Sequence, residues 1–462
     1  MQLSFDEYIT KYDQYVSSYI PPKKDWTPPD YATYGVKDLY RIPVKDALKL
    51  QFDAIKYQFK RHYELNKVYY GFCKEMKVTP DSIKTYDDLE KIPLVPAEFY
   101  KDYPSGKDFA LWLGNLFTGD IPTVKIKGKE PNYDDVINAF NFAGLAVTYS
   151  SGTSGRHTFI PRDKRTFDIC EYILAKAGIT MTYPLWEYDM YGYLLMPNPF
   201  KTNVMAGRGL EIYYKAVKDV RAAIDREINT EVIRQSMLSV TQKGVKASIT
   251  TFARERLYSK IIKDIIKWLE KNNKEKNKIA LVGAPWLLFM VFNQLEEDGK
   301  TFDFCDRGGV ITGGGWKIHE DKKMPVEEFR KKTKELLGIR PDHCLDGYGM
   351  VEANGWMVHC PEGHYFHIPI SYFHPMVLDD EFKPVGYNEF GRFAFLDGST
   401  FSYPGFLISG DRVKMREHCP VCDRPGPVLE PEITRAIGKE MRGCAEEVRK
   451  MISIDLGRWK FD

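Results

Sequence analysis

The chain has 462 residues, enough for two or three domains, and 43% hydrophobic with 14% aromatic residues excludes global disorder. Its 66 basic and 64 acidic side chains nearly cancel, to +2, which gives no support to a nucleic-acid partner. Eight cysteines are too sparse for a secreted disulfide framework. No apolar run is long enough for a membrane span, and the acidic opening MQLSFDEYITKYDQY does not read as a secretory signal, so a cytoplasmic protein is expected.

Residues 5–20 and 45–78 are aromatic-rich with helical spacing, and Leu48, Phe52, Ile55, Phe59 and Tyr63 mark one face of the second stretch. A Pro-rich connection, IPPKKDWTPPD, separates them. The segment YDDLEKIPLVPAEFYKD (86–102) reads as a short helix, a proline stop and another helical turn. Residues 134–147 read as a helix leading into a Ser/Thr/Gly loop. Strands and helices then alternate. MYGYLLMP (190–197) predicts a strand, 216–240 a helix, ASITTFA (247–253) a strand, and RLYSKIIKDIIKWLEKN (256–272) an amphipathic helix. KIALVGAP (278–285) predicts a buried strand ending in a turn, followed by the helix WLLFMVFNQLEEDG. GGVITGGG (308–315) predicts a strand running into glycines, and VEEFRKKTKELLG (326–338) a helix with a glycine stop. Such alternation predicts an α/β protein with stacked parallel or mixed sheets. From about residue 365 the pattern is β-rich, and the last 30 residues return to a helical pattern.

Three glycine-bearing stretches lie at the ends of these strands. Ser150-Ser151-Gly152-Thr153-Ser154-Gly155 offers backbone N–H groups and hydroxyls suited to a phosphate, yet no Gly-Lys-Ser/Thr follows, so it is not a Walker loop. Gly313-Gly314-Gly315, before Trp316 and Lys317, lets the backbone approach a flat ring. Gly347-Tyr348-Gly349 offers an aromatic ring for a base, and Glu352 a carboxylate for Mg²⁺. A polar surface loop, a tight turn and an ordinary strand end are the respective structural alternatives.

A second pattern is metal-like. Cys360 and His364 at C-x3-H spacing, with Cys419 and Cys422 as C-x2-C, supply four N/S ligands for a closed tetrahedral Zn²⁺ site. His367 is an alternative to His364. Cys73, Cys170, Cys305 and Cys344 read as core.

The order SSGTSG, GGGWK, GYGMVE and Ser409-Gly410-Asp411 resembles the adenylate-forming superfamily. With YDDLEKIPLVP, VGAPWLL and IGKEMRGCA added, the chain is similar to the acyl-protein synthetases, the long-chain-fatty-acid–luciferin-component ligases. It is also similar, over a shorter set, to phenylacetate-CoA ligases. The resemblance spans about residues 86–450. It implies an adenylate-forming large domain with stacked mixed sheets, a helical N-terminal region (1–85), a core (86–411), and a segment (412–462) holding the CxxC knuckle and a truncated C-terminal lid.

By that resemblance Ser150, Ser151, Gly152, Thr153, Ser154 and Gly155 grip ATP phosphates, Tyr348 stacks on the base, Glu352 holds Mg²⁺, and Asp411 holds the ribose hydroxyls. Arg156, Lys317 and Arg412 are candidate cations for the phosphates, and Lys439 a substitute for the lid lysine. Cys444, between Arg442 and a helical stretch, matches the thiol that accepts the acyl group; a guanidinium and a helix N-terminus both favour its thiolate. The zinc is structural by the same resemblance. The implied function is ATP-dependent activation of a carboxylic acid, fatty acyl by resemblance, with transfer to Cys444 and then to a partner such as an acyl-CoA reductase subunit. An acyl- or aryl-CoA ligase and a non-catalytic zinc-stabilised nucleotide-binding protein are the alternatives. Trp286, Leu288 and Phe289 are offered either as an acyl pocket or as core.

Overall fold

The computed structural model describes residues 3–152, 156–234, 245–316, 319, 322–363 and 365–436. Five parallel strands form one half of its main sheet, in the spatial order Cys344–Tyr348, Gly308–Gly313, Ile279–Gly283, Tyr191–Pro197 and Asp219–Ile224. Ile279–Gly283 is buried along its whole length, as a strand covered on both faces must be. The helices Val245–Lys274, Pro285–Glu297 and Val326–Leu337 supply the crossovers between these strands and pack side by side. The last of them ends as its sequence predicts: Gly338 takes φ 68° and its N–H bonds the Lys334 carbonyl.

Antiparallel strands continue the sheet beyond Cys344–Tyr348, in the order Met357–His359, Phe366–His367, Val428–Leu429, Phe406–Arg416, Phe390–Asp397 and Phe373–Leu378. The boundary drawn at 411/412 falls inside the strand Phe406–Arg416. A separate hairpin, Ala146–Tyr149 with Phe159–Arg162, follows the helix Tyr133–Phe142.

Three local expectations change. The span 216–240 was expected as a helix, yet Asp219–Ile224 is an edge strand parallel to Tyr191–Pro197, so sheet pairing overrides the helical leaning of Ala222 and Ala223. ASITTFA lies inside the helix Val245–Lys274, because the amphipathic stretch after it buries Ile261, Ile265, Ile266 and Leu269 and carries the β-branched run into the helix. Segment 86–102 forms two 3₁₀ turns, Tyr86–Lys91 and Ala97–Lys101. Between them Val95–Pro96 pairs in parallel with Leu407–Ile408.

The N-terminal helices pack into this body. Tyr8 and Tyr12 donate to the Ile179 and Tyr172 carbonyls at 3.2 and 2.9 Å. The helix Val44–Leu65 buries Gln51, Gln58 and His62 as well as Ile55 and Phe59, while Phe52 and Tyr63 are half-buried. Its core face is therefore rotated from the purely apolar stripe, because Gln51 is needed to bond the Ile370 and Phe373 carbonyls at 2.8 Å each. Among the described residues no helix is long and apolar enough to cross a membrane.

Candidate active site

Two of the glycine stretches meet at the carboxyl ends of neighbouring parallel strands, the edge where open α/β sheets bind ligands. Thr312 stands opposite Asp346 and Gly313 opposite Gly347, and Thr312 Oγ1 donates to Asp346 Oδ1 at 2.8 Å. Beyond that end Gly315 takes φ 69°, and a side chain there would meet nothing within 4 Å, so backbone conformation alone favours glycine. Gly313, Gly347 and Gly349 are glycines for a different reason. The indole of Trp356 lies 2.6, 2.2 and 2.6 Å from where their Cβ atoms would stand. The sequence alone leaves the flat ring near Gly313 to a ligand; in the structure it is the protein's own.

Tyr348 ends its strand with its hydroxyl donating to Asp411 Oδ2 at 2.7 Å, and Arg435 Nη1 holds Asp411 Oδ1 at 2.8 Å. Burial first, and then the Asp411 carboxylate, push the Tyr348 phenol well above its usual range, so it stays a donor. Its ring lies beside Phe366 and Phe393, tilted to each with centroids at 6.0 Å.

The hairpin carries the Ser/Thr/Gly loop at its tip. Ser150 N–H donates to the Thr158 carbonyl at 3.0 Å, and Thr158 N–H donates to Ser150 Oγ at 2.9 Å. His157 Nδ1 sits 2.7 Å from the Ser150 carbonyl oxygen. Gly152 has φ 65°, and a Cβ there would stand 2.7 Å from His157 Nδ1. Ser151 follows in the same described stretch; Thr153, Ser154 and Gly155 lie outside it. Glu352 is buried near the Thr158 hydroxyl. Burial raises its carboxyl above the usual range, while its own backbone N–H, Lys101 and Thr158 pull the other way and Asp411 adds to the rise. The loop base, Glu352, Tyr348 and Asp411 therefore lie close together.

The candidate cations fare less well. Arg156 is exposed, bonding the Lys101 carbonyl at 3.3 Å and facing Asp102 at 3.6 Å. Arg412 pairs with Asp380 at 3.3 Å. Lys317, Lys439 and Cys444 lie outside the described residues. Trp286 rests on Tyr258 and His319, Phe289 on Trp316, and Leu288 is wholly buried.

Sequence reasoning misses Arg162. It is fully buried, donating to Thr148 Oγ1 at 2.6 Å, the Val351 carbonyl at 2.5 Å and the Tyr403 hydroxyl at 3.1 Å. It thus ties the hairpin to the segment that carries Glu352. A lone arginine in the apolar strand FIPR was the available signal.

The cysteine pattern does converge. Cys360, His367, Cys419 and Cys422 place their ligand atoms within 4.8 Å of one another. Cys422 Sγ lies 3.4 Å from His367 Nε2, and Cys360 Sγ 4.0 Å from Cys419 Sγ. His367 fills the place first given to His364, which lies outside the described residues. The Cys422 thiol is held far below its usual range by the Cys360 thiol, with His367 and Arg424 adding to the effect. Three thiolates and one imidazole would leave one net negative charge around a dication; Arg424 lies by Cys422 but also pairs with Glu362 at 2.6 Å. These donors fit zinc. Cys305, expected in the core, is exposed, its thiol donating to Asp303 Oδ1 at 2.7 Å.

Residues 232–453 match the family model described as acyl-protein synthetase, LuxE. A long-chain-fatty-acid–luciferin-component ligase of Vibrio harveyi is 25% identical over 406 residues, covering 87% of this chain and 88% of the relative. Its counterpart from Aliivibrio fischeri is 23% identical, covering 86% and 87%. The resemblance to the acyl-protein synthetases is borne out. Among solved structures, 2-hydroxyisobutyryl-CoA ligase with 2-HIB-AMP and CoA in the thioesterification state is similar at a TM-score of 0.57 and 14% identity, over 90% of this chain and 74% of that one. An open conformation of that ligase gives 0.54, over 86% and 76%. The fold is that of the adenylate-forming ligases.

Proposed function

We propose that this chain, whose residues 232–453 carry the acyl-protein synthetase domain, is an ATP-dependent ligase that activates a carboxylic acid and passes it to a thiol. The observation that supports this best is the proximity of Ser150, Glu352, Tyr348 and Asp411 near the carboxyl edge of the sheet, with Tyr348 bonded to Asp411. In the first step a carboxylate oxygen bonds to the α-phosphorus of ATP as the bond to pyrophosphate breaks. In the second a thiolate sulfur attacks the acyl carbon and AMP leaves.

Two anions must meet in the first step, so the site has to offset charge and fix an in-line approach. Ser150, Ser151, Gly152, Thr153, Ser154 and Gly155 would hold phosphates, with Lys317 near them and Gly313, Gly314, Gly315 and Gly349 shaping the base pocket. Asp411 would accept from ribose hydroxyls, and Tyr348 keeps its carboxylate in place. Glu352 would hold Mg²⁺, which neutralises phosphate charge when bound; the burial that raises its carboxyl is what a cation would relieve. Cys444 would take the acyl group as a thioester, with Lys439 beside it in sequence. The acid is a fatty acid in this reading, and the final acceptor a protein thiol in the same cytoplasm. Zn²⁺ on Cys360, His367, Cys419 and Cys422 has a full ligand set and a structural task.

Acid-dependent ATP–pyrophosphate exchange, run over fatty and aromatic acids, tests the first step. Exchange with fatty acids is expected; its absence in folded, ATP-binding protein overturns the proposal. Intact-mass detection of an acyl adduct that disappears in Cys444→Ser then separates protein acylation from transfer to CoA.

A further inference from the structure

Three glycines from two separate motifs are shaped by one side chain. Gly313, Gly347 and Gly349 all have ordinary negative or extended φ, so none needs to be glycine for its backbone conformation. All three would place a Cβ inside the van der Waals radius of the Trp356 ring, at 2.6 Å from Cη2, 2.2 Å from Cζ2 and 2.6 Å from Cε3 respectively. The indole therefore lies against the ends of both strands at once.

The backbone that carries Trp356 is held from several sides. The N–H groups of Asn354 and Gly355 donate to the buried Asp397 carboxylate at 2.7 and 3.1 Å. Gly355 is pressed on Phe373, whose Cδ2 lies 2.4 Å from where its Cβ would be. The Trp356 carbonyl accepts from the Tyr40 hydroxyl at 2.9 Å, a contact that comes from the N-terminal region. These contacts fix the backbone that carries the half-buried indole, and the ring itself rests against the three glycine positions.

Side chains alternate across a strand, so Tyr348 points to the face opposite Gly347 and Gly349. Trp356 thus lies behind the strand ends, and Tyr348 with Asp411 lies in front. From this geometry we propose that Trp356 is a positioning residue. It fixes the spacing of the Gly313–Gly315 and Gly347–Gly349 segments, and so the width of the base pocket, with Tyr40 holding it from the N-terminal region. The inference rests on the nucleotide-site reading above.

A size-exchange experiment decides it. Gly347→Ala, Trp356→Ala, the double variant and Trp356→Phe are measured for thermal unfolding, for the KM of ATP and of the acid in pyrophosphate exchange, and for kcat. Gly347→Ala adds a methyl where the ring stands and should raise the KM for ATP about tenfold or more. Trp356→Ala should raise it by a similar factor, with the KM of the acid moving less than threefold, and Trp356→Phe should recover part of the loss. In the double variant the removed ring makes room for the methyl, so its KM for ATP should fall below that of Gly347→Ala alone. Rescue of the unfolding temperature without rescue of the KM for ATP, or equal changes in both KM values, would show mere packing and overturn the inference. No exchange by the wild type would instead discredit the functional reading on which it rests.

Discussion

Tyr348 and Asp411 are joined by a hydrogen bond from a neutral phenol to a carboxylate, the stronger kind of protein hydrogen bond. Tyr348→Phe keeps the ring and removes only that donor, leaving Asp411 Oδ2 without it while Arg435 still holds Oδ1. ATP binding should weaken by about tenfold, the range for a hydrogen bond to a charged group, with the thermal midpoint little changed. Isothermal titration with ATP checks this, and unaltered affinity would remove Asp411 from the nucleotide site. Arg162 should behave in the opposite way. Arg162→Met strips donors from Thr148, the Val351 carbonyl and Tyr403 in a dry setting. Denaturant unfolding should show a loss of about 3 kcal/mol or more. At this scale the sequence exposes chemistry better than geometry. Tyr348, Glu352 and Asp411 stood out in the sequence by residue type and spacing, and the structure brings them together. Arg162 and Trp356 did not, because each acts through contacts with distant chain or on two strands at once; the lone arginine in FIPR marks an odd residue but not its partners.

Elements were legible where local pattern and tertiary demand agree. Ile279–Gly283 and Val326–Leu337 stand where burial and a glycine stop put them. Asp219–Ile224 escaped because an edge strand half open to solvent has little alternation to read. The cysteine–histidine cluster is the clearest long-range feature, since cysteine is rare enough for spacing to carry weight, and strand pairing is what brings His367 to it. His367 stands opposite Val358 in a short antiparallel pair, which carries its imidazole to Cys422. One zinc per chain should be found by elemental analysis, and Cys419→Ser should lose it. Because metal binds the folded form, removing it should cost about 4 kcal/mol when it is held at a thousandfold its dissociation constant. Chelation should therefore lower the unfolding midpoint of the wild type and leave Cys419→Ser unmoved. A wild type indifferent to chelators, with no metal found, would reduce the cluster to a cysteine-rich turn.

At the scale of the whole molecule, the N-terminal helices are built into the body through buried polar contacts, and these make stability depend on pH. His62 is fully buried, with Nδ1 2.8 Å from Thr118 Oγ1 and Nε2 3.1 Å from the Thr400 carbonyl oxygen. Burial, with Arg61 nearby, lowers its pKa from 6.5 to about 3. His374 is lowered to about 4 by burial alone. A folded pKa below the unfolded one means that the unfolded chain takes up the proton first. The contribution is thus fully present above about pH 6.5 and is lost as pH falls from there toward the folded values. The slope is at most about 1.4 kcal/mol per pH unit for each histidine. Buried carboxyls such as Glu352 and Asp397 have raised values and the opposite sign, so a single stability curve mixes the two. The difference between wild type and His62→Gln isolates the imidazole, since the carboxyls and His374 remain in both. Urea unfolding at several pH values from 7.5 to about 4.5 should show His62→Gln weaker at neutral pH, with the gap closing as pH falls. A gap that stays constant across that window would mean that His62 does not titrate on unfolding, and that its place between Thr118 and Thr400 is a matter of shape alone.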